Sequence, residues 1–261
     1  NSGQGIKVAV IDSGVDKSHP DLLNQVEGGW DFVNIDSEPM DDNGHGTHVS
    51  GTIAAIAGND IGVVGVAPAV EIYALKVLDA SGSGSFSSII AALEWCAKNG
   101  IKVTNNSYGS SSDPGITVQQ AFDNAYDSGI LHIASAGNSG KFNGRGDNVG
   151  FPAQYASVMA VAATDSNDIR AYFSSTGPTV EISAPGVGIL STVPGNSYES
   201  WNGTSMASPH VAGVAALVMA SDARLSNAQV RARLNESALD LGATGRDTWY
   251  GYGLVDAKKA V

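Results

Sequence analysis

The chain has 261 residues, 43% of them hydrophobic and only 15% charged, which excludes a disordered segment and leaves enough apolar side chain for a large core. A formal net charge of -12 argues against nucleic acid as substrate or partner, because phosphate binding calls for a basic face. The single cysteine, Cys96, excludes an internal disulfide and a cysteine-rich metal site, and no apolar run is long enough to span a membrane.

Short apolar runs predict strands over 6–11, 70–77, 101–103, 130–134 and 157–162. Helical periodicity falls between and after them, over 47–57, 86–98, 116–128, 205–220 and 226–238. Cys96 lies in the apolar pattern of the 86–98 helix and reads as a buried structural thiol. Near-continuous apolar strands alternating with helices define an α/β class, a mainly parallel central sheet with helices on both faces. With no linker, repeat or low-complexity tract, residues 1–261 read as a single domain.

In such sheets functional groups gather at the carboxyl ends of strands. Asp12 follows the first strand in V-A-V-I-D-S-G, Ser107 to Gly109 follow the 101–103 strand, and Ala136 to Asn138 follow the 130–134 strand. His45 stands between glycines in D-D-N-G-H-G-T-H-V-S-G-T, where a substrate can approach the imidazole, and it is the candidate base. His48 shares a helical face with it, and the pair admits a zinc reading, but a third ligand at suitable spacing and the H-E-x-x-H pattern are both missing. Ser205, in N-G-T-S-M-A-S-P-H-V-A-G, opens a small-residue helix whose free N–H groups favour an alkoxide-like nucleophile and an oxyanion. Pro209 reads as a first-turn residue of that helix, where a missing N–H is tolerated. Taken alone, Thr204 or Ser205 reads first as a helix cap, Asp12 as often as a helix cap or turn residue, and Asn138 as an ordinary turn residue.

The strings I-D-S-G, H-G-T-H-V-S-G-T and N-G-T-S-M-A-S-P-H-V-A-G, in that order, resemble the three catalytic signatures of the subtilisin-like serine proteases, the subtilases, and are closest to the bacterial secreted subtilisins. The resemblance implies a serine endopeptidase acting through an acyl-enzyme, with Ser205 as nucleophile, His45 as base and Asp12 as orienter of the imidazole. Asn138 matches the asparagine of the oxyanion hole. Ser107, Tyr108 and Gly109 match the segment that pairs with the substrate backbone. Gly109, Ala136, Gly137, Asn138 and Gly150 match the wall of the S1 pocket, which implies a preference for a large apolar P1 residue, while Phe86 and Ile89 match the S4 pocket. Tyr108 departs from the leucine of the bacterial enzymes. Met206 matches an oxidation-prone methionine.

The same resemblance implies a structural calcium and no cofactor for catalysis. Its ligands would be Asp21, a side-chain oxygen of Asn59 or Asp60, and carbonyls of Ile56, Ile61 and Val63, although the loop is about one residue longer than usual and the family's preceding segment with its glutamine ligand is missing. A second cation site would use Glu181 and carbonyls near Ala153, Tyr155 and Val158. Polypeptide substrates, a propeptide during maturation, a secreted monomer and no membrane partner complete the expectations. An esterase is set aside because Ser205 lies in G-T-S-M-A and not in G-x-S-x-G, and an inactive binding module because Asp12, His45, Asn138 and Ser205 are all present. Arg145-Gly146-Asp147 and the sequons at Asn105, Asn202 and Asn235 read as chance matches.

Overall fold

The computed structural model describes residues 2–261. Seven strands, β1 (Lys7–Asp12), β2 (Val26–Asp31), β3 (Glu71–Lys76), β4 (Val103–Asn106), β5 (Leu131–Ser135), β6 (Val158–Thr164) and β7 (Val180–Pro185), form one sheet in the order β2-β3-β1-β4-β5-β6-β7. Every neighbouring pair is parallel. β8 (Ile189–Val193) and β9 (Ser197–Trp201) pair as a separate antiparallel hairpin. The helices are α1 (His45–Ala54), α2 (Phe86–Lys98), α3 (Ile116–Asp127), α4 (Thr204–Ser221), α5 (Asn227–Ser237) and the short α6 (Ala257–Ala260).

Alternation along each strand divides the core in two. Val8 and Val10 of β1 join Val49 and Ile53 of α1 and Val211 and Ala215 of α4 on one face. Ala9 and Ile11 join Ile89 and Leu93 of α2 and Phe122 of α3 on the other. Both faces are covered, so the strands are apolar at consecutive positions, and each buried valine or isoleucine contributes about 1.5–3 kcal/mol.

The predicted strands and helices all form, with shifted ends. α1 begins at His45, two residues early, because Gly44 takes the left-handed conformation at φ 106 and lets the chain turn into the helix. It ends at Ala54 and not at 57, since Ala55 is extended and the Ile56 N–H goes to the Asp21 carbonyl at 3.0 Å. β2, β7 and the hairpin escape the sequence pattern. β2 reads V-E-G-G-W-D and β7 reads V-E-I-S-A-P, and both are edge strands, where glutamate, glycine and proline are tolerated and the apolar run is broken.

The topology fixes the site. β1 pairs with β3 on one side and with β4 on the other. The chain builds outward first through β2 and β3, then the other way through β4 to β7, so the switch lies at β1 and β4. A crevice opens there at their carboxyl ends, where Asp12 closes β1 and Ser107 follows β4.

Candidate active site

Asp12 is fully buried and its Oδ1 accepts the Ser13 N–H at 2.8 Å and lies 2.7 Å from His45 Nδ1. An ionised carboxylate only accepts, so Nδ1 carries the proton and Nε2 is left as the basic nitrogen. Asp12 Oδ2 is buried and bonds no protein group. Burial works against charge on the His45 ring, but the Asp12 charge and hydrogen bond, with a smaller contribution from Asp41, outweigh it and raise its pKa above the ordinary 6.5. Gly46 lets the helix start sit this close: a Cβ there would stand 2.1 Å from the Gly14 carbonyl oxygen.

Two further charged residues hold this geometry: Asp41, which opens the string around His45, and Lys76, which belongs to no motif. Asp41 Oδ1 accepts from Ser13 Oγ (2.8 Å), Asn43 N–H (3.0 Å) and Gly44 N–H (2.8 Å), and its Oδ2 accepts from Thr47 N–H (2.9 Å) and Thr47 Oγ1 (2.6 Å). It thereby caps α1, whose N-cap glycine has no side chain to do so. Lys76, the register partner of Asp12 on β3, is 1% exposed and donates to Ser13 O (2.7 Å), Leu78 O (2.9 Å) and Asp42 Oδ1 (2.6 Å). All three ammonium protons are used, as a buried lysine requires. The only sequence signal for Asp41 is its place shortly before His45.

Ser205 lies in the first turn of α4, next to Met206, which is buried. Its hydroxyl donates to Ser107 O at 3.0 Å. Asn138 Oδ1 accepts both the N–H and the hydroxyl of Thr204, each at 2.9 Å, which leaves the Asn138 amide N–H groups for another acceptor. That amide nitrogen and the Ser205 N–H both lie beside Gly203, 3.6 Å from where a Cβ of that residue would be. Both nitrogens therefore border one point next to Ser205, where an oxyanion could be received.

Two clefts adjoin along Ser107, Tyr108 and Gly109, and one of them reaches the serine. One, of about 460 Å³, runs from His45 past Ser107, Tyr108 and Gly109 to Phe86 and Ile89. The other, of about 470 Å³, is lined by Gly109, Gly137, Asn138, Gly150 and Ser205, together with Asp147 and Gln154. Tyr108 lines both, and its hydroxyl donates to Asn106 Oδ1 at 2.9 Å. Ala136, expected in the pocket wall, is instead fully buried behind it, where its carbonyl accepts the Gly150 N–H at 2.9 Å, because it continues the inward-facing pattern of β5.

The zinc reading of His45 and His48 fails on geometry. His48 Nε2 faces the carbonyls of Ile189 and Glu199, each at 3.1 Å, and its ring stacks on Trp201 with centroids 4.4 Å apart. Burial lowers its pKa to about 4, so it is a neutral donor that ties the hairpin to α1. Among the described residues no group of three or more His, Cys, Asp or Glu could hold a metal.

A calcium site at Asp21 is tested by its donors. Asp21 is fully buried, with Oδ1 accepting from Asn59 Nδ2 at 2.7 Å and Oδ2 from the Val63 N–H at 2.9 Å. Asn59 is thus the residue beside Asp21, whereas Asp60 is exposed, sits at φ 60 and shares no hydrogen bond with it. A buried carboxylate next to a carboxamide offers side-chain oxygens that would suit calcium once the Asn59 amide presents its oxygen in place of its nitrogen. The second expected site does not fit. The Arg231 guanidinium already pairs with Glu181, Nε to Oε1 at 2.7 Å, and donates to Ala156 O at 2.8 Å, and Asn235 Nδ2 adds a bond to Glu181 Oε1 at 2.8 Å. A bidentate guanidinium supplies the positive charge there.

A buried aspartate bonded to an imidazole, with a serine at a helix start in the same crevice region, suits a serine hydrolase of the triad class. The chain belongs to the Subtilase family, which it matches over residues 3–253. It is 50% identical over 258 residues to subtilisin DY of Bacillus licheniformis and 51% identical over 259 residues to subtilisin Savinase of Lederbergia lenta, covering 99% of this chain and 91% of each relative. To alkaline elastase YaB of Bacillus sp. (strain YaB) it is 52% identical over 259 residues, 65% of that protein. The protein is a subtilisin-like serine endopeptidase, a hydrolase whose substrates are polypeptides.

Proposed function

We propose that peptide bonds are cleaved through an acyl-enzyme on Ser205, within one peptidase domain spanning residues 1–261. The observation that carries this reading is the 2.7 Å contact between buried Asp12 and His45 Nδ1, which leaves Nε2 as the free base in the crevice that Ser205 enters from α4. Ser205 attacks the scissile carbonyl, His45 takes its proton and returns it to the leaving amine, and Asp12 stabilises the imidazolium. Asn138 Nδ2 and the Ser205 N–H receive the oxyanion. The reaction draws on these side chains and on no cofactor.

Substrate lies extended along Ser107, Tyr108 and Gly109, which follow β4 without a strand partner, so that its backbone adds to this edge. The S1 cleft beside Gly137 and Gly150 takes a large apolar P1 side chain, and Phe86 and Ile89 receive the P4 side chain. Asp147 on the rim of the S1 cleft favours lysine over glutamate as a secondary P1 choice. Cleavage-site profiling of an unfolded protein tests this: a strict preference for aspartate or glutamate at P1 overturns it.

A structural calcium at Asp21, Asn59 and the Ile56, Ile61 and Val63 carbonyls supports the fold. Secretion as a monomer after removal of a propeptide fits the family relationship. No helix among the described residues is long and apolar enough to cross a membrane.

A further inference from the structure

Pro209 lies in the second turn of α4, inside the helix. Proline has no N–H, so the carbonyl four residues back, that of Ser205, loses its helical donor. A buried carbonyl left unmatched is costly, yet the Ser205 carbonyl is satisfied from outside the helix: Ser107 Oγ, 98 residues away in sequence, donates to it at 2.8 Å.

The Ser107 hydroxyl is itself fixed. Asn105 Nδ2 donates to Ser107 Oγ at 2.9 Å, and Ser208 Oγ donates to Asn105 Oδ1 at 2.7 Å. Ser208 belongs to α4, so the bonds close a ring: β4 to Ser107, Ser107 to the Ser205 carbonyl, along the helix to Ser208, and back to Asn105 on β4. Asn105 and Ser208 are fully buried and Ser107 is 3% exposed, so water does not compete for these bonds.

We propose that Asn105, Ser107 and Ser208 form a clamp that positions the nucleophile by supplying the hydrogen bond that Pro209 withholds. The turn bearing Ser205 is thereby anchored to the sheet in place of its own helix. Holding the Ser205 carbonyl fixes the backbone of residue 205, and with it the place of the Cα and Cβ from which its hydroxyl, 3.0 Å from Ser107 O, projects. The three are positioning residues, and the inference rests on Ser205 being the nucleophile.

The test compares hydrolysis of a tetrapeptide anilide by the wild type, Ser107→Ala, the double variant Ser107→Ala/Pro209→Ala, Ser208→Ala and Ser205→Ala. Ser107→Ala lowers kcat about tenfold or more while KM stays within about twofold, because the residue-107 backbone that meets the substrate is retained. The acid limb of its pH profile stays in place, since Asp12 and His45 are untouched. In the double variant the restored N–H at position 209 can reach the Ser205 carbonyl, and most of the lost kcat returns. Ser208→Ala, which leaves the Ser107 hydroxyl present but loosens Asn105, gives a smaller fall of the same kind and serves if Ser107→Ala does not fold. Wild-type kcat in Ser107→Ala or Ser208→Ala, a loss confined to KM, or no recovery in the double variant overturns the clamp. Activity surviving in Ser205→Ala overturns the nucleophile reading instead, so the two failures are separable.

Discussion

Thr204 grips one oxygen of Asn138 twice, with its backbone N–H and its hydroxyl, both at 2.9 Å. Thr204 therefore occupies the oxygen of Asn138 and leaves its amide nitrogen for the oxyanion proposed beside Ser205. Removing the donor by Asn138→Leu lowers kcat by roughly 10²–10³ with little change in KM, the magnitude measured when the corresponding asparagine of a subtilisin is replaced. Thr204→Val keeps the N–H bond and loses the hydroxyl, and a kcat lower by about tenfold is expected from the weaker hold. Steady-state kinetics on a peptide anilide read both, and a Thr204→Val enzyme with wild-type kcat contradicts the orienting role.

The pH profile follows from the raised pKa of His45. The base works only when neutral, so kcat/KM rises with pH through a midpoint above the ordinary histidine value of 6.5. Asp12→Asn removes the charge that does most to raise it and leaves burial, which lowers it, so the residual activity, down by about 10⁴, titrates at lower pH. The sign for stability is the reverse of that for activity. The protonated His45–Asp12 pair stabilises the fold fully below the unfolded pKa and loses that contribution as pH rises through the folded value. A kcat/KM midpoint in Asp12→Asn equal to or above that of the wild type contradicts this account.

Tyr108 stands between the two clefts, braced by its 2.9 Å bond to Asn106. Tyr108→Leu opens the partition, and the ratio of kcat/KM for substrates with phenylalanine against alanine at P4 rises severalfold. The same change leaves Asn106 Oδ1 without that donor and costs about 1–3 kcal/mol of stability. An unchanged P4 ratio shows that the ring does not set the boundary.

Chelation tests the loop at Asp21. If calcium binds Asp21 and Asn59, adding it at about one hundred times its dissociation constant stabilises the fold by roughly 2.7 kcal/mol, a rise in Tm of several degrees that Asp21→Ala abolishes. A Tm indifferent to both calcium and chelator removes calcium from the account.

Much of the site is legible in the sequence because its chemistry is written in strings: the aspartate closing an apolar strand, the glycine-flanked His45 and the serine opening α4 stand at the expected elements. The supporting residues are not legible. Lys76, Thr204 and the Ser107–Ser205 pair act through contacts between segments distant in sequence, and a lysine in a strand carries no local mark of what it will touch, while Asp41 caps α1 locally and reaches only Ser13 at a distance. Ala136 escapes for a related reason: a residue beside a pocket glycine can face either way, and the alternation of β5 sends it into the core. Pro209 is the sixth residue of α4 and so falls in its second turn and not in the first, and this place is what frees the Ser205 carbonyl.

The central claim is the nucleophile, and Ser205→Ala tests it most directly. Hydrolysis of a peptide anilide and of an unfolded protein is measured for that variant, and for the wild type with and without a sulfonyl fluoride. The account predicts a kcat in Ser205→Ala lower by about 10⁶, folding intact by circular dichroism, and stoichiometric inactivation of the wild type with the label on Ser205. Wild-type turnover by Ser205→Ala, or sulfonylation of a different residue, contradicts it.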